Sequence, residues 1–350
     1  MSEEITKIAK ARRYAGIALR EFGAYAAWLA VGDWRATRNR AERLEPAPDH
    51  SGYQCNWQWT SDLHAPKVFP ALGRRLMQRA LADHPIHRAD STAGLTDALP
   101  QVTFLIGHRG MARLPHLLAT LQSIAAQRGA AVECIVIEQD TISQLGPLLP
   151  AWVRLVHTPP PAPDMPYCRS WTFNVGALHA RSDVLVLHDN DMLVPVDYAA
   201  SILDRVRRGY EMVNLKRFIF YLTQAHTEAI FTAKADLMDA APEVIVQNLE
   251  GGGSVAITRS GFDRIGGMDE SFIGWGGEDS EFWERAQTLR VWPWANLPIV
   301  HLWHAAQPGK HEPNNPIWVH YHFCSSIPPN KRIAHLRLLN QGNMVGPYRY

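Results

Sequence analysis

The chain has 350 residues, 46% of them hydrophobic and 20% charged, which is typical of a compact globular protein and excludes collagen-like, coiled-coil and disordered classes. Lys and Arg number 35 and Asp and Glu 34, so the formal net charge is +1. Because this balance produces no strong positive field, we expect no nucleic-acid partner.

The first predicted element is a basic helical segment over residues 3–45. It contains no Pro and carries apolar residues near helical spacing, which predicts one long helix or two in succession. Its many Lys and Arg residues would suit contact with anionic lipid. We favour a helix packed on its own domain with a solvated basic face, because such faces are common in globular proteins. Peripheral contact with the inner membrane face is the alternative.

The start of the chain and its cysteines indicate the compartment. The opening Met-Ser-Glu-Glu is not the basic start of a signal peptide. Arg20 and Glu21 interrupt the most apolar early stretch, which argues against a membrane span. The four cysteines lie far apart with no Cys-x-x-Cys pair, which argues against a structural zinc site and a disulfide framework. We therefore expect a cytoplasmic protein.

From Gln101 onward, short apolar runs alternate with amphipathic stretches. The pattern predicts strands over 102–106, 132–137, 153–156 and 184–187 and helices over 114–127, 171–180 and 282–289, after an earlier helix over 72–82. Such alternation predicts a mostly parallel sheet covered by helices on both faces. Since ligands of such sheets bind at the carboxyl ends of strands, the polar residues that follow each strand are the candidate site.

The first polar cluster runs from His188 to Asp191, directly after an apolar strand. Asp189 and Asp191 can point the same way from the strand end, because side chains alternate with a period of two. Two carboxylates there suit a divalent cation that bridges to phosphates. The alternative is a polar turn, since Asp and Asn are common turn formers.

The second cluster is the stretch Gly274–Glu281, followed by a helical pattern. Glycines let a backbone approach a ligand closely, and an exposed Trp275 offers a flat face on which a sugar ring could stack. The acidic residues could simply cap the helix. A cap needs neither the Trp nor three glycines, so the functional interpretation is favoured.

Two weaker signals follow. His301 and His304 could bind one metal ion from a turn, and with a carboxylate they would suit Mn²⁺. With 16 His in the chain, such a pair can also arise by chance. The stretch Glu250–Ser254 lacks the Lys-Ser/Thr of a phosphate loop, and no Gly-x-Gly-x-x-Gly or Gly-x-Ser-x-Gly motif indicates a dinucleotide fold or an α/β-hydrolase.

Taken together, these motifs resemble the β-1,4-galactosyltransferase family, whose Trp-Gly-Gly-Glu-Asp signature is similar to Trp275–Asp279. The order of the other matching motifs also agrees: His108–Arg113, Tyr167–Gly176, Asp189–Asp191 and Gly252-Gly253. The resemblance covers residues 101–316. It implies an α/β chain of the GT-A fold, a nucleotide-diphospho-sugar transferase with a Rossmann-like mixed sheet flanked by helices. That domain would span 99–320, after a mainly helical extension over 1–98 and before a tail over 321–350 that packs on it.

The resemblance also implies roles for individual residues. The enzyme would be a metal-dependent, inverting glycosyltransferase that uses a UDP-sugar and Mn²⁺ or another divalent cation. Asp279 would be the general base, with Glu278 beside it. The metal ligands would be Asp191, His301 and His304; the donor would contact Arg109 or Arg113, Arg169, Asp189, Gly252 and Gly253; the acceptor sugar would contact Trp275 and Ser280.

The implied reaction moves a hexose, galactose or N-acetylgalactosamine, to a glycan or lipid-linked glycan in surface polysaccharide synthesis. Two departures bear on substrate choice: Ser280-Glu281 replaces further Asp residues of the family, and Glu250 stands near an aromatic position that influences donor choice. One alternative is a retaining N-acetylgalactosaminyltransferase, which also carries Trp-Gly-Gly-Glu but has Asp-x-His where this chain has Asp189-Asn190-Asp191. The other is a non-catalytic carbohydrate-binding protein on the same scaffold.

Overall fold

A computed structural model describes residues 7–49, 51–54, 61–91, 99–247, 251–306, 315–339 and 341–342. The helices of these residues are α1 (Lys7–Val31), α2 (His64–Val68), α3 (Pro70–Asp83), α4 (Leu114–Ala125), α5 (Arg169–His179), α6 (Tyr198–Arg207), α7 (Gln224–Phe231), α8 (Arg259–Arg264), α9 (Glu278–Ala286), α10 (Pro316–Ser325) and α11 (Pro329–Leu336). Within this part of the chain, no helix is both long and apolar enough to cross a membrane.

The strands are short, and most lie in the middle of the chain. They are β1 (Glu45–Pro46), β2 (Tyr53–Gln54), β3 (Ser61–Asp62), β4 (Val102–His108), β5 (Val132–Glu138), β6 (Val153–His157), β7 (Val184–His188), β8 (Met192–Leu193), β9 (Met212–Val213), β10 (Lys216–Leu222), β11 (Pro242–Gln247), β12 (Ser254–Thr258), β13 (Trp294–Ala295) and β14 (Leu297–His301). The strands and helices predicted from residue 72 onward are all present, with ends shifted by a few residues.

The chain forms two compact units, each assembled from separate stretches. The first unit comprises 1–85, 216–249 and 293–303, and the second comprises 86–215, 250–292 and 304–350. This division differs from the predicted segments 1–98, 99–320 and 321–350. The reason is strand pairing: β3, from the N-terminal segment, pairs with β11, which comes some 180 residues later in the sequence.

In the first unit, strands pair in the order β3-β11-β10-β14. The β10–β14 pair is parallel and the other two are antiparallel, while β1, β2 and β13 form a separate antiparallel sheet. Helix α3 packs on β11 and β14, and it buries Leu76, Met77 and Ala80 completely. The predicted helix over 72–82 is therefore a core element of this unit.

The predicted helix over 3–45 is wrong beyond Val31, and residues 3–6 lie outside the described residues. Gly32 has a φ of +78°, a left-handed conformation that favours glycine and ends α1. The chain does not return to α-helix because the buried Arg217 guanidinium donates to the carbonyls of Arg35 (2.7 Å) and Thr37. These carbonyls are therefore occupied by a residue far away in sequence.

The second unit is built on a six-stranded sheet in the order β6-β5-β4-β7-β12-β9. The pairs among β6, β5, β4 and β7 are parallel, whereas β12 pairs antiparallel with both β7 and β9. Helix α5 packs closely on β4 and β5 at Gly176. A Cβ at this position would lie 2.7 Å from Ile137 and 3.1 Å from Leu105, so only glycine permits the approach. The predicted α/β class, with a mixed sheet flanked by helices, is confirmed.

Candidate active site

The carboxyl ends of β4 and β7 lie side by side, and the predicted site residues of the second unit gather there. His188 ends β7 and is buried, with its Nδ1 2.7 Å from Ser254 Oγ at the start of β12. The antiparallel register of β7 and β12 then brings Gly253 to Asp189, whose N–H donates to the Gly253 carbonyl over 2.8 Å. The structure thus places the Gly252-Gly253 pair beside the Asp189–Asp191 cluster.

Arg169 connects three of the predicted site carboxylates. It starts α5, and its Nε and Nη2 lie 2.8 and 2.7 Å from Asp189 Oδ1. Its Nη1 donates to Asp279 Oδ1, and Glu278 lies 3.9 Å away. A residue predicted to bind the donor therefore ion-pairs with the predicted general base, 110 positions away in sequence.

The crowding of charges shifts several pKa values at this site. Burial, together with the neighbouring Asp279 carboxylate, raises the pKa of Glu278 to about 7. Burial also raises the pKa of Asp189, to about 6, although Arg169 opposes that shift. The carboxylates Asp189 and Asp279 raise the pKa of Arg169 against the effect of its burial, so this residue stays a cation.

Helix α9 carries acidic residues with different surroundings in its first turn. It begins at Glu278 after Gly277, and its N-terminal dipole favours the negative charges of that first turn. Glu281 is fully buried, 2.6 Å from Arg285 and 3.0 Å from Arg332, so its charge is paired within the protein. Asp279 instead keeps 32% of its side chain exposed. A solute can therefore reach Asp279 but not Glu281.

Gly251 brings the glycine loop against this helix. A Cβ at Gly251 would lie 2.6 Å from the Asp279 carbonyl oxygen and 3.3 Å from Trp283 Cβ, too close for any other residue without a backbone shift. Gly253, two residues further on, has a φ of +80°. Glycine is therefore needed here for packing, and the predicted donor contact of Gly252 and Gly253 stays a prediction. Glu250 lies outside the described residues.

Asp191 and His304 form a pair of metal-compatible ligands. His304 Nε2 lies 3.4 Å from Asp191 Oδ2, and His304 Nδ1 lies 2.7 Å from the Ala305 carbonyl, to which it can only donate. In the neutral imidazole, Nε2 then carries the lone pair. This nitrogen faces a carboxylate oxygen of Asp191, which is the arrangement of two ligands that share one cation. The ring of the buried His116 lies 6.4 Å from that of His304. These residues fit a divalent ion.

His301, the third predicted ligand, belongs to the first unit. It ends β14, and its ring stacks on Tyr221 with 4.3 Å between ring centroids. Since β14 ends there, His304 follows in irregular chain rather than in the same strand. The role of His301 as a metal ligand stays a prediction.

The structure separates the two candidate arginines after β4. Arg113 donates to Asp191 and lies 3.3 Å from Asn190 Oδ1. Arg109 instead donates to the carbonyls of Met165, over 2.5 Å, and Pro163. Arg113 therefore joins the acidic cluster, whereas the contacts described for Arg109 tie down a loop.

Sequence reasoning missed His108 and Asn190 as partners. Asn190 Nδ2 lies 3.0 Å from His108 Nδ1, and His108 Nε2 donates to the Gly110 carbonyl over 2.8 Å. Burial lowers the pKa of His108, which favours its neutral form. The contact could have been predicted from position in the sequence, since His108 and Asn190 follow or end two strands, β4 and β7, that are parallel neighbours.

The glycines of the second cluster, Gly274–Glu281, have a packing role that was not predicted, and their predicted approach to a ligand stays a prediction. Gly276 has a φ of +117°, and a Cβ there would lie 3.1 Å from Trp318 Nε1; a Cβ at Gly277 would lie 2.7 Å from Tyr321 Cβ. Both glycines thus let α10 pack against the motif. The Trp275 ring meets Trp318 edge to face, at 6.2 Å between centroids, and remains half-buried.

Helix α10 was not predicted, although its residues complete this part of the site. Asn315 caps the helix through the Ile317 N–H and donates to the Trp275 carbonyl over 3.1 Å. Tyr321 donates to Glu284 over 2.7 Å, which ties α10 to α9. Ser280, the other predicted acceptor contact, is half-buried in the first turn of α9.

Residues 246–291 match a family model described as the N-terminal domain of galactosyltransferase. The matched stretch contains β12, α8 and α9, together with Gly252-Gly253 and the Trp275–Asp279 motif. The predicted resemblance to a galactosyltransferase family is therefore confirmed over this segment, and the match supports the glycosyltransferase class. No curated protein matches the chain.

Three glycosyltransferases are among the similar solved structures. The catalytic domain of Drosophila β1,4-galactosyltransferase 7, in complex with xylobiose, is 16% identical and covers 57% of this chain and 65% of its own, with a TM-score of 0.31. The mannosyltransferase PcManGT from Pyrobaculum calidifontis, with GDP-Man and Mn²⁺, is 16% identical, covers 76% of both chains and has a TM-score of 0.42. GalNAc-T7, with UDP, GalNAc and Mn²⁺, is 13% identical, covers 69% of this chain and 54% of its own, and has a TM-score of 0.46. This chain thus spans less than two thirds of two of these proteins.

Proposed function

We propose that the chain is a metal-dependent, inverting glycosyltransferase of the GT-A type. It would transfer a hexose, galactose or N-acetylgalactosamine, from a UDP-sugar to a glycan hydroxyl. The observation that carries the proposal is the arrangement around Arg169, which connects the strand-end residue Asp189 to the partly exposed Asp279. The galactosyltransferase match over residues 246–291 contains that same Asp279.

Asp191 and His304 would bind the cation, with His301 as a further predicted ligand. A divalent ion, when bound, neutralises charge on the leaving diphosphate. A carboxylate with an imidazole suits Mn²⁺ among such ions. Arg113 contacts Asp191 from the β4 side, so it orients that carboxylate and adds a positive charge where the phosphates would lie.

Asp279 would accept the proton of the attacking hydroxyl at its carboxylate. The Arg169 guanidinium orients Asp279, while Trp275 offers a half-buried ring near the same helix start for a sugar. General-base help of this kind is worth about 10²–10⁴-fold in rate. A single displacement on an α-linked UDP-sugar then inverts the anomeric carbon and gives a β-linked product.

The test is Asp279→Asn in the full chain. We expect the substitution to reduce transfer by about 10²-fold or more, as loss of a general base should, with UDP affinity nearly unchanged. Asp263→Asn, on the exposed face of α8, is the matched control. Equal loss of UDP binding and transfer in Asp279→Asn would contradict the assigned role of the residue.

The two alternatives give different outcomes in product analysis. A retaining N-acetylgalactosaminyltransferase would give the α-anomer in proton NMR of the product. A non-catalytic carbohydrate-binding protein would bind sugar without any turnover. We further propose that the acceptor is a glycan or a lipid-linked glycan of surface polysaccharide synthesis.

We also propose that α1 contacts anionic lipid at the inner membrane face. Leu19 and Phe22 lie three positions apart, so they share one helix face, and they are 85% and 65% exposed. Arg12 and Arg20 are exposed on the same helix. The chain should sediment with phosphatidylserine vesicles at low salt and less so with Leu19→Ser/Phe22→Ser. Failure of the wild type to sediment would overturn this part.

A further inference from the structure

A second group of potential metal ligands lies in the second unit and shares no residue with the site described above. It consists of Asp269, His320 and Cys324. Cys324 is buried and the other two are half-buried. We propose that these three side chains bind a zinc ion that stabilises the fold, with water in the fourth position.

The distance between Cys324 and His320 matches that of two ligands in a tetrahedral zinc site. Each of the three residues offers one ligand atom, and these atoms all lie within 4.8 Å of one another. Cys324 Sγ lies 3.6 Å from His320 Nε2. A tetrahedral ion with a Zn–S bond of about 2.3 Å and a Zn–N bond of about 2.0–2.1 Å separates sulfur and nitrogen by about 3.6 Å. The spacing of these two atoms is therefore already that of two ligands of one ion.

The fold holds these ligands in place. His320 and Cys324 are four residues apart on α10, so they share one helix face. The Phe272 ring packs on the His320 imidazole at 4.7 Å between centroids. Asp269 follows Met268, whose backbone N–H and carbonyl both bond the Asn174 side chain over 2.8 Å. The loop and the helix are thus positioned independently of any ion.

The ligand types favour zinc over the Mn²⁺ proposed for the active site. A thiolate is a soft ligand that selects Zn²⁺, whereas hard ions such as Mn²⁺ and Mg²⁺ prefer oxygen. Thiolate and carboxylate together carry two negative charges, which balance one divalent ion. The wide spacing of cysteines argued against a zinc site, but this arrangement needs only one cysteine.

A hydrogen-bond network is the competing explanation for the cluster. Ser271 Oγ lies 2.6 Å from Asp269 Oδ1 and 2.8 Å from His320 Nε2, and so bridges them. Cys324 Sγ, 3.6 Å from His320 Nε2, belongs to the same network. The network depends on the Ser271 hydroxyl, whereas a zinc site places the Cys324 thiolate on a metal ion and does not need that hydroxyl. Ser271 is exposed, so removing its hydroxyl should not disturb the fold.

A bound zinc would connect α10 to the segment that leads into Gly274–Gly277. The same helix carries Trp318 and Tyr321, which pack on Gly276 and Gly277. The ion would therefore stabilise the position of the motif without touching substrate. Its effect should appear as a higher unfolding temperature.

The test uses Co²⁺ as a spectroscopic substitute for Zn²⁺ in the full chain, after chelation and in excess Mn²⁺. We expect one equivalent of Co²⁺ to produce a thiolate-to-cobalt charge-transfer band in the near ultraviolet, and Zn²⁺ to abolish it. Asp191 and His304 carry no thiol, so binding there gives no such band. Zn²⁺ should also raise the unfolding temperature of the wild type.

The variants separate the two explanations. Cys324→Ser and His320→Gln should both lose the band and the stabilisation by Zn²⁺. His320→Gln is the milder change and serves as the test if Cys324→Ser does not fold. Ser271→Ala should keep both, as should His322→Gln, which alters an exposed histidine on the same helix. No band in the wild type, a band that survives Cys324→Ser, or its loss in Ser271→Ala would overturn the proposal. None of these results bears on sugar transfer.

Discussion

At the scale of single residues, Arg169 is the centre of the site. Its guanidinium, on a side chain that is 12% exposed, bonds Asp189 and Asp279 and lies over the Phe173 ring at 4.6 Å. One planar cation can hold two carboxylates at fixed angles, which an ammonium group cannot do equally well. The position of Asp279, and hence its use as a base, depends on this geometry.

Arg169→Lys should therefore lower the rate of transfer even though the charge is kept. Hydrogen bonds to charged groups contribute about 1.5–3 kcal/mol, so we expect kcat to fall by about 10- to 100-fold in an assay of UDP release. Arg264→Lys is the control, because Arg264 forms a more exposed pair with Glu211. Equal rates in the wild type and Arg169→Lys would contradict the positioning role of Arg169.

Glu278 makes stability depend on pH. Burial raises its pKa from 4.5 to about 7, so the folded state holds this proton more tightly than the unfolded state does. The contribution is complete below about pH 4.5 and is lost as the pH rises through about 7. Between pH 5.5 and 8.5 the wild type should lose stability relative to Glu278→Gln in urea unfolding. Parallel pH profiles of the two proteins would contradict the shift.

The site residues show what sequence could and could not predict. Three site carboxylates could be predicted from the sequence: Asp189, Asp191 and Asp279. Each belongs to a short motif at the end of a strand or the start of a helix, and such motifs are local properties of the sequence. Their connection through Arg169 spans 110 positions in sequence and depends on the fold bringing the start of α5 to the start of α9. No spacing rule covers such a contact.

At the scale of elements, the packing of α10 on α9 explains the glycines of the second motif. Gly276 and Gly277 both have positive φ and both face aromatic residues of α10. Arg332 of α11 then bonds Glu281 and Glu284, so both C-terminal helices are tied to α9. The shape of the motif is thus maintained by residues that follow it in sequence.

Gly277→Ala should destabilise the second unit. The new Cβ would lie 2.7 Å from Tyr321 Cβ, and the φ of +83° is unfavourable for alanine. We expect a loss of about 1–3 kcal/mol, from overpacking and strain together. Gly110→Ala is the control: its φ is +73°, but nothing lies within 4 Å of the new Cβ. Equal shifts of the unfolding temperature in both variants would exclude the packing contribution.

Helix α10 illustrates why some elements escape sequence analysis. Two apolar residues of α10, Val319 and Phe323, are both 64% exposed, whereas Cys324 on the same helix is buried. The apolar residues of α10 therefore lie on more than one face and do not form the single stripe that predicts a helix. The core strands β4, β5 and β7 were predictable because a strand buried on both faces is a near-continuous apolar run. The first helix was predicted too long because its local pattern is helical up to residue 45. In the structure, the distant Arg217 guanidinium binds the carbonyls of Arg35 and Thr37, and the helix does not continue.

At the scale of the whole molecule, the chain interleaves its two units. The first unit takes α1–α3 and β1–β3 from the N-terminal segment and β10, β11, β13 and β14 from two later stretches. Leu76 and Met77 of α3 are fully buried in that unit. The N-terminal segment is therefore part of a shared core rather than an appendage.

A chain that starts at residue 99 should consequently aggregate. Without α3, the apolar surface of β11 and β14 loses its cover, and β11 also loses the pairing of β3. We expect the truncated chain to elute in the void volume on gel filtration, where the full chain does not. A folded, monodisperse truncated chain would show that residues 1–98 are dispensable for the fold.

The central claim is metal-dependent sugar transfer, and release of UDP tests it most directly. A panel of UDP-Gal, UDP-GalNAc, UDP-Glc, UDP-GlcNAc, UDP-Xyl and UDP-GlcA is incubated with the full chain in Mn²⁺ and in EDTA. We predict that one donor, UDP-Gal or UDP-GalNAc, is hydrolysed slowly in Mn²⁺, and that EDTA and Asp279→Asn both suppress this release. No release from any donor, together with no Mn²⁺-dependent binding of UDP by calorimetry, would contradict the account.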